Sequence, residues 1–217
     1  MAELVILDLD GVIIKGQSQK LFLNYLYKKS KIGLFFYLKI YVWFILYKFG
    51  IAKGPKKVME YAYSFAKGME LEVVSKLVDD FFEINLKKFI FPQIIDIINE
   101  HKLHGRKILI VSNATQIIVD KVTSFLGIEN CICSRLETVN GKFTGRVLGN
   151  IVYGKEKVSV VKNFSNENNI SMYNAYAYAD HISDLDLLSA VLYPFAVNPD
   201  RKLFKEAKKR NWQIIKF

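Results

Sequence analysis

The chain is poor in cysteine, with two in 217 residues, Cys131 and Cys133. Their C-x-C spacing puts both side chains on one face of a strand, and no second pair exists to complete a zinc site. They read as buried thiols of a reducing compartment. Long runs of one charge are also missing, although 31 basic against 21 acidic residues leave a net charge of +10. Scattered basic charge suits anionic partners in general: nucleic acid, an anionic membrane surface or phosphorylated small molecules. No nucleic-acid-binding motif is present, so nucleic acid is not the expected partner. Nor is there the apolar run of about 20 residues that a spanning helix requires. The closest approach, residues 32–47 (IGLFFYLKIYVWFILY), has Lys39 as its only charge. It is expected to be a helix buried against its neighbours rather than one that touches membrane. The opening MAELVILD is acidic and strand-like, unlike a secretory leader. Internal repeats and low-complexity segments are lacking too.

What is present is enough for a packed core. Hydrophobic residues make up 51% and charged residues 24%, which argues against disorder. Many of the 16 Phe and 12 Tyr fall between Leu21 and Phe91, so the first half is compositionally distinct. Residues 3–7 form a short apolar run ending at Asp8, the pattern of a buried parallel strand. Residues 17–86 then read as helical, broken at GIAKGP (residues 50–55), where Pro55 suits a helix start. From residue 93 helices alternate with strands: a helix over 93–102, a strand over 107–111, a helix over 115–126 closed by Gly127, and a strand over 130–135. Asn140-Gly141 between two alternating runs signals a hairpin. A helix over 155–168, a strand over 175–179, a helix over 184–190, a strand over 192–197, a helix over 203–210 and a last strand over 213–217 follow. Alternation of this kind implies an α/β fold with a parallel sheet covered on both faces. The helical block after the first strand is then an insertion above the carboxyl ends of the strands, where open α/β sheets bind ligands.

Residues suited to phosphate and cations recur at those ends. Asp8 and Asp10 follow the first strand at i and i+2. Buried acids need a cation or a chemical role to offset their desolvation. Gly11 lets the backbone turn closely and leaves amides to face an anion. Ser112-Asn113, expected between a strand and a helix, offers a hydroxyl and helix-start amides to phosphate. Lys157, at a helix start, can reach phosphate as a point charge. Asp180 ends the AYAYA strand, with Asp184 four residues on. Hard oxygen ligands of this kind suit Mg²⁺, which takes few carboxylates plus phosphate and water. Each piece alone is common as a loop, a helix cap or a solvated face. All four in this order point to one site.

The order D-x-D, Ser after a strand, Lys, then D-x-x-x-D resembles the haloacid dehalogenase (HAD) superfamily of hydrolases. The closer likeness is to its phosphoserine-phosphatase-like branch (subfamily IB), which carries a helical cap between the first motif and the rest. The likeness runs through LDLDG, VSN at residues 111–113, GKFTG at 141–145, YGKEK, AYAYAD and AVNPD at 196–200. The AVNPD tail is similar to that branch's uncharacterised hydrolases more than to phosphoserine phosphatase proper. The resemblance implies a Rossmann-like core formed by residues 1–14 and 90–217, and a cap over 15–89. It implies that Asp8 attacks phosphorus to form an aspartyl-phosphate, and that Asp10 protonates the leaving group and then activates water. Mg²⁺ would be held by Asp8, the Asp10 backbone carbonyl and Asp180, with Asp184 supporting its waters. Gly11, Ser112, Asn113 and Lys157 would hold the phosphate oxygens. The superfamily also includes phosphotransferases.

Three departures bear on this reading. Val12 stands where the family usually has Thr, which removes a hydroxyl beside Asp8. His181 follows Asp180 where Ser or Gly is usual, and it is expected at the rim, since Mg²⁺ prefers oxygen. Gln17 occupies about the place of the Glu that meets the substrate ammonium in phosphoserine phosphatases. A neutral amide cannot pair with that charge, which turns the expectation away from free phosphoserine. The expected partner is a phosphorylated small molecule, and the expected location is cytoplasmic. The alternative is a lipid headgroup, reached by a protein peripheral at the inner face of the membrane. Residues 32–47 would then rest among headgroups, with Lys28, Lys29, Lys31, Lys39 and Lys48 drawn to anionic lipid. A basic binding module for nucleic acid without catalysis is a third reading, opposed by the full acid set.

Overall fold

The computed structural model describes residues 3–48 and 54–217. Its seven strands are β1 (Leu4–Leu7), β2 (Lys107–Thr115), β3 (Asn130–Val139), β4 (Lys142–Leu148), β5 (Tyr176–Ala179), β6 (Tyr193–Val197) and β7 (Gln213–Ile215). They form one sheet in the order β4-β3-β2-β1-β5-β6-β7, parallel except for the β3–β4 hairpin. Winding reverses between β1 and β5, so their carboxyl ends flank a crevice of the kind that binds ligands in open α/β sheets.

All four residues of β1 are buried, as a strand covered on both faces requires. Val5 and Leu7 join one core with Ile94 and Ile98 of α5 (Pro92–Leu103) and Ile118 and Val122 of α6 (Gln116–Leu126). Leu4 and Ile6 join a second core on the other face. There they meet Val161 of α7 (Lys155–Glu167), Leu188 of α8 (Leu185–Ser189), and Leu203 and Ala207 of α9 (Arg201–Lys209).

Between β1 and α5 the chain is helical: α1 (Ser18–Lys28), α2 (Leu34–Lys48), α3 (Pro55–Tyr63) and α4 (Leu71–Phe81). The expected break at residues 50–55 lies mostly outside the described residues, but α3 does begin at Pro55. The insertion is tied to the hairpin by backbone bonds. The Gly68 amide donates to the Phe143 carbonyl (2.8 Å), the Phe143 amide to Met69 (3.0 Å) and the Leu71 amide to Gly141 (2.9 Å). The hairpin turns at Asn140-Gly141, both with positive φ (50° and 74°), as a tight two-residue loop demands. Among the described residues no helix is long and apolar enough to cross a membrane.

Two expectations need correction. β2 does not stop at Val111. Ser112 pairs with Cys133 and Thr115 with Ser134 across a bulge, so strand pairing carries β2 four residues further. Helix α6 therefore starts after Thr115, and Ser112-Asn113 is not a helix start. Of the two free thiols, Cys133 is buried but Cys131 is only half-buried.

A polar knot links β5 to α5. Arg106 Nη1 lies 3.2 Å from His101 Nδ1, and a guanidinium only donates, so Nδ1 accepts. The Nε2–H then donates to the Tyr178 hydroxyl at 2.8 Å. Burial first, and the Arg106 charge second, push the His101 pKa down to about 4. The unfolded chain, with an ordinary value near 6.5, therefore takes up this proton first as pH falls. The stabilisation is complete above about pH 6.5 and is lost progressively down to about pH 4, by roughly 2–3 kcal/mol. Urea unfolding of wild type and His101→Gln at several pH values should show this extra acid loss in wild type alone. Parallel losses in both proteins would contradict it.

Candidate active site

Asp8 leaves the carboxyl end of β1, and its amide donates to the Tyr178 carbonyl of β5 at 3.0 Å. One carboxylate oxygen, Oδ1, accepts from the Leu9 amide at 2.8 Å. The other, Oδ2, lies 3.0 Å from Lys157 Nζ, which also donates to Asp184 Oδ2 at 2.8 Å. Lys157 is 3% exposed and Asp184 1%, so this is a buried triad rather than a solvated helix face. The first turn of a helix is an unfavourable place for a cation. Burial also works against the Lys157 ammonium, but Asp8 and Asp184 more than offset it and raise its pKa.

Asp10 is fixed from the insertion, since its Oδ1 accepts from the Ser18 amide at the start of α1 (2.8 Å). Burial raises its pKa. Asp180 directly follows β5, and its carboxylate lies against Gly11 of the loop after β1. Burial, and then the like charges of Asp184 and Asp10, push its pKa up to about 7. Asp8 is raised well above the usual carboxylate range by burial, with Lys157 pulling the other way.

Gly11 enters the site differently from the sequence expectation. Its amide is spent on the Ile14 carbonyl (2.8 Å) rather than turned to an anion. What matters is its missing Cβ: φ is +78°, and a Cβ there would collide with the Asp180 carboxylate. The Gly11 carbonyl accepts from Asn198 Nδ2 at 3.1 Å, while Asn198 Oδ1 accepts from the Phe217 amide at 2.9 Å. Asn198 thus clamps the loop from the end of β6. It lies in the AVNPD segment, but nothing local marks it as a contact to a residue 187 positions away.

Ser112 is buried beside β1, with its Oγ accepting from the Ala114 amide at 3.0 Å across the bulge. Its hydroxyl proton stays available for an anion. The Asn113 side chain is turned to Ser134, whose Oγ donates to Oδ1 at 3.3 Å. The Asn113 carbonyl accepts from Gln19 Nε2 at 3.1 Å. Gln17 is exposed and its side chain caps no helix amide. Two residues of the insertion that sequence reasoning passed over therefore reach β2: Gln19, and Tyr63, whose hydroxyl lies 2.7 Å from Thr115 Oγ1. His181 is exposed at the rim, 3.4 Å from Asp200.

Four carboxyl groups face one ammonium, a deficit of positive charge in a buried setting. Among the described residues no three His, Cys, Asp or Glu side chains gather closely enough to hold a metal by themselves. The donor set nevertheless fits a hard cation that also takes backbone, phosphate and water oxygens. Asp8 and Asp180 carboxylates and the Asp10 carbonyl could hold it. Among the described residues Asp184 Oδ1 is a buried oxygen with no hydrogen-bond partner, the orphan that a bound ion's water would satisfy.

The fold and site define a doubly wound α/β protein with a cluster of carboxyl groups at its switch point and a helical insertion that touches it. The family model for haloacid dehalogenase-like hydrolases matches residues 5–189, and the chain belongs to that family. A Mycobacterium tuberculosis protein named a probable phosphatase is 32% identical over 150 residues, which cover 69% of this chain. The match spans 52% of that protein, about half its length. A Bordetella pertussis Tohama I protein of unknown function shares the fold at a TM-score of 0.90 and 20% identity, covering 99% of both chains. A probable phosphoserine phosphatase from Vibrio cholerae shares it at 0.74 and 19% identity, covering 99% of this chain and 60% of that one. The fold is thus shared with a probable phosphoserine phosphatase, in line with the sequence resemblance.

Removing the central cation should expose the cost of the buried acids. Lys157→Met is expected to destabilise the protein by about 3–5 kcal/mol at pH 7, measured by urea denaturation. The deficit should shrink at lower pH as the carboxyl groups protonate. A neutral substitution would mean that Asp8 and Asp184 do not depend on Lys157.

Proposed function

We propose that this chain is a Mg²⁺-dependent phosphoric monoester hydrolase that works through an aspartyl-phosphate on Asp8. The observation that carries this reading is the placement of Asp8 Oδ2 3.0 Å from the buried Lys157 ammonium at the switch point. A carboxylate so placed is oriented, has little water around it, and has positive charge where phosphoryl oxygens would lie.

In the first step an Asp8 oxygen attacks phosphorus and the bond to the ester oxygen breaks. Asp10 is raised by burial and so suited to carry a proton, which it gives to the leaving oxygen. In the second step the Asp10 carboxylate takes a proton from water, the water oxygen attacks phosphorus, and the Asp8–phosphorus link breaks. Lys157 and the Ser112 hydroxyl would donate to the phosphoryl oxygens throughout. Asp8, Asp180 and the Asp10 carbonyl, with Asp184 behind, would hold Mg²⁺, which would supply Lewis-acid screening of the charge on the phosphoryl group.

In this reading residues 15–89 act as a cap that selects the ester, and residues 1–14 and 90–217 carry the chemistry. Ser18, Gln19 and Tyr63 join the two. Gln17, exposed and neutral, is the cap residue that would meet the leaving group rather than pair with an ammonium. An ester carried by a lipid headgroup is a second reading, favoured by the exposed apolar side chains of Leu34, Phe35 and Leu38 on α2.

The test is phosphate release from p-nitrophenyl phosphate, phosphoserine, sugar phosphates and a short-chain phosphatidylglycerophosphate, with Mg²⁺ and with EDTA. Turnover is expected only with Mg²⁺, and Asp8→Asn should lower it by about 10³-fold or more. Turnover that survives in Asp8→Asn would overturn the nucleophile assignment.

A further inference from the structure

Helix α2 is apolar all round, which in a soluble protein implies burial on every side. Among the described residues it is covered on only one. Ile40 is buried, Phe36 stacks on Tyr61 (5.2 Å between ring centroids), and Tyr37 stacks on Tyr27 (4.5 Å). The Tyr37 hydroxyl also donates to Asn24 Oδ1 at 3.0 Å. These contacts fix which face turns outward. That face carries Leu34, Phe35, Leu38, Val42 and Ile45, from 46% to 82% exposed. At 3.6 residues per turn the five fall within about 100° of arc, one continuous stripe. The expectation of a buried helix therefore holds for the inner side and fails for the outer one. Among the residues named for headgroup contact, the side chain of Lys48 lies outside the described residues.

The charge around the stripe is one-sided. Residues 11–59 contain ten lysines and no Asp or Glu. That equals the net charge of +10, so the rest of the chain is balanced. Lys28, Lys29 and Lys31 are exposed just before α2 begins, and Lys39 is exposed on the helix beside the stripe. A second copy of this chain is a poor occupant, because a two-fold contact through α2 would bring lysines against lysines. Nucleic acid offers charge but nothing for Phe35 and Leu38 to enter. An anionic bilayer surface offers both.

We propose that the outer face of α2 docks the protein on anionic lipid bilayers, with the stripe at the boundary between headgroups and acyl chains and Lys28, Lys29 and Lys31 on the lipid phosphates. α1 connects this surface to the site. Its first residue, Ser18, holds Asp10, and Lys28 ends it, about 15 Å away along the helix axis. The docking gives a physical route to a lipid-borne ester and rests on that second reading for its purpose, but not on the chemistry at Asp8.

The test is co-sedimentation of the full chain with phosphatidylcholine vesicles, with and without phosphatidylglycerol. Phosphatidylglycerol should raise the bound-to-free ratio by tenfold or more, and salt should reverse the gain. Phe35→Ser/Leu38→Ser should lower the ratio by roughly tenfold or more. Lys28→Gln/Lys29→Gln/Lys31→Gln should lower it by about a hundredfold. Both variants should keep the wild-type circular dichroism and turnover of soluble esters, since none of these residues belongs to the site. The proposal is overturned if wild type ignores anionic vesicles, or if binding is indifferent to Phe35 and Leu38. It is also overturned if wild type is a dimer that Phe35→Ser dissociates. Vesicle binding without hydrolysis of any ester would instead remove the hydrolase reading and leave the docking intact.

Discussion

The buried ion triad of Lys157 with Asp8 and Asp184 is the constraint on which the rest of this site depends. Two like charges about 4 Å apart repel by about 4 kcal/mol at the effective dielectric of a protein site. Asp8, Asp10, Asp180 and Asp184 converge at one crevice, so a sheet that ends in these residues needs positive charge there. Lys157 supplies one unit, and its two contacts of 3.0 and 2.8 Å set where Asp8 points. The remainder is unbalanced, as the raised values of Asp8, Asp10 and Asp180 show. That imbalance is a liability for stability and an advantage for chemistry, since it favours a bound cation and a protonated Asp10.

The topology explains why these groups meet at all. β1 and β5 are neighbours at the point where winding reverses, so Asp8 and Asp180 leave adjacent strand ends. The loop between them is held at close range because Gly11 has no side chain and Asn198 grips its carbonyl. The insertion closes from above by touching the core at a few polar points: Ser18 on Asp10, Gln19 on Asn113, Tyr63 on Thr115. The insertion and the core are thereby joined at the first turn of α1 and the end of α3.

Much of this was legible in the sequence, and the reasons differ by residue. Asp8, Asp10 and Asp180 follow short apolar runs, and a buried strand that ends in acid is a local signal. Lys157 was legible as a helix-start lysine, although its burial was not. Ser112-Asn113 was placed in the wrong element. Pairing with β3 extends β2 through it, and strand pairing is a long-range effect that local pattern does not report. The roles of Gln19, Tyr63 and Asn198 were hidden for the same reason, since each depends on a contact between segments far apart in the chain. Gly11 was read for its amide, whereas the structure uses the space left by its missing Cβ. In α2 the uniform apolarity concealed which face would be covered, because a helix without a polar side carries no amphipathic phase to read.

The family membership, the acidic switch point and the basic, apolar outer face of α2 are consistent with the proposed phosphoryl chemistry in the sheet and the proposed partner choice in the insertion. The central claim is that Asp8 itself carries the phosphoryl group. Acid quenching during turnover, followed by borohydride reduction and mass spectrometry of the peptide containing Asp8, tests this directly. The account expects Asp8 to be reduced to homoserine, the product of an acyl phosphate, in wild type and not without substrate. Reduction at another carboxylate, or an unmodified Asp8 during sustained turnover, would contradict it.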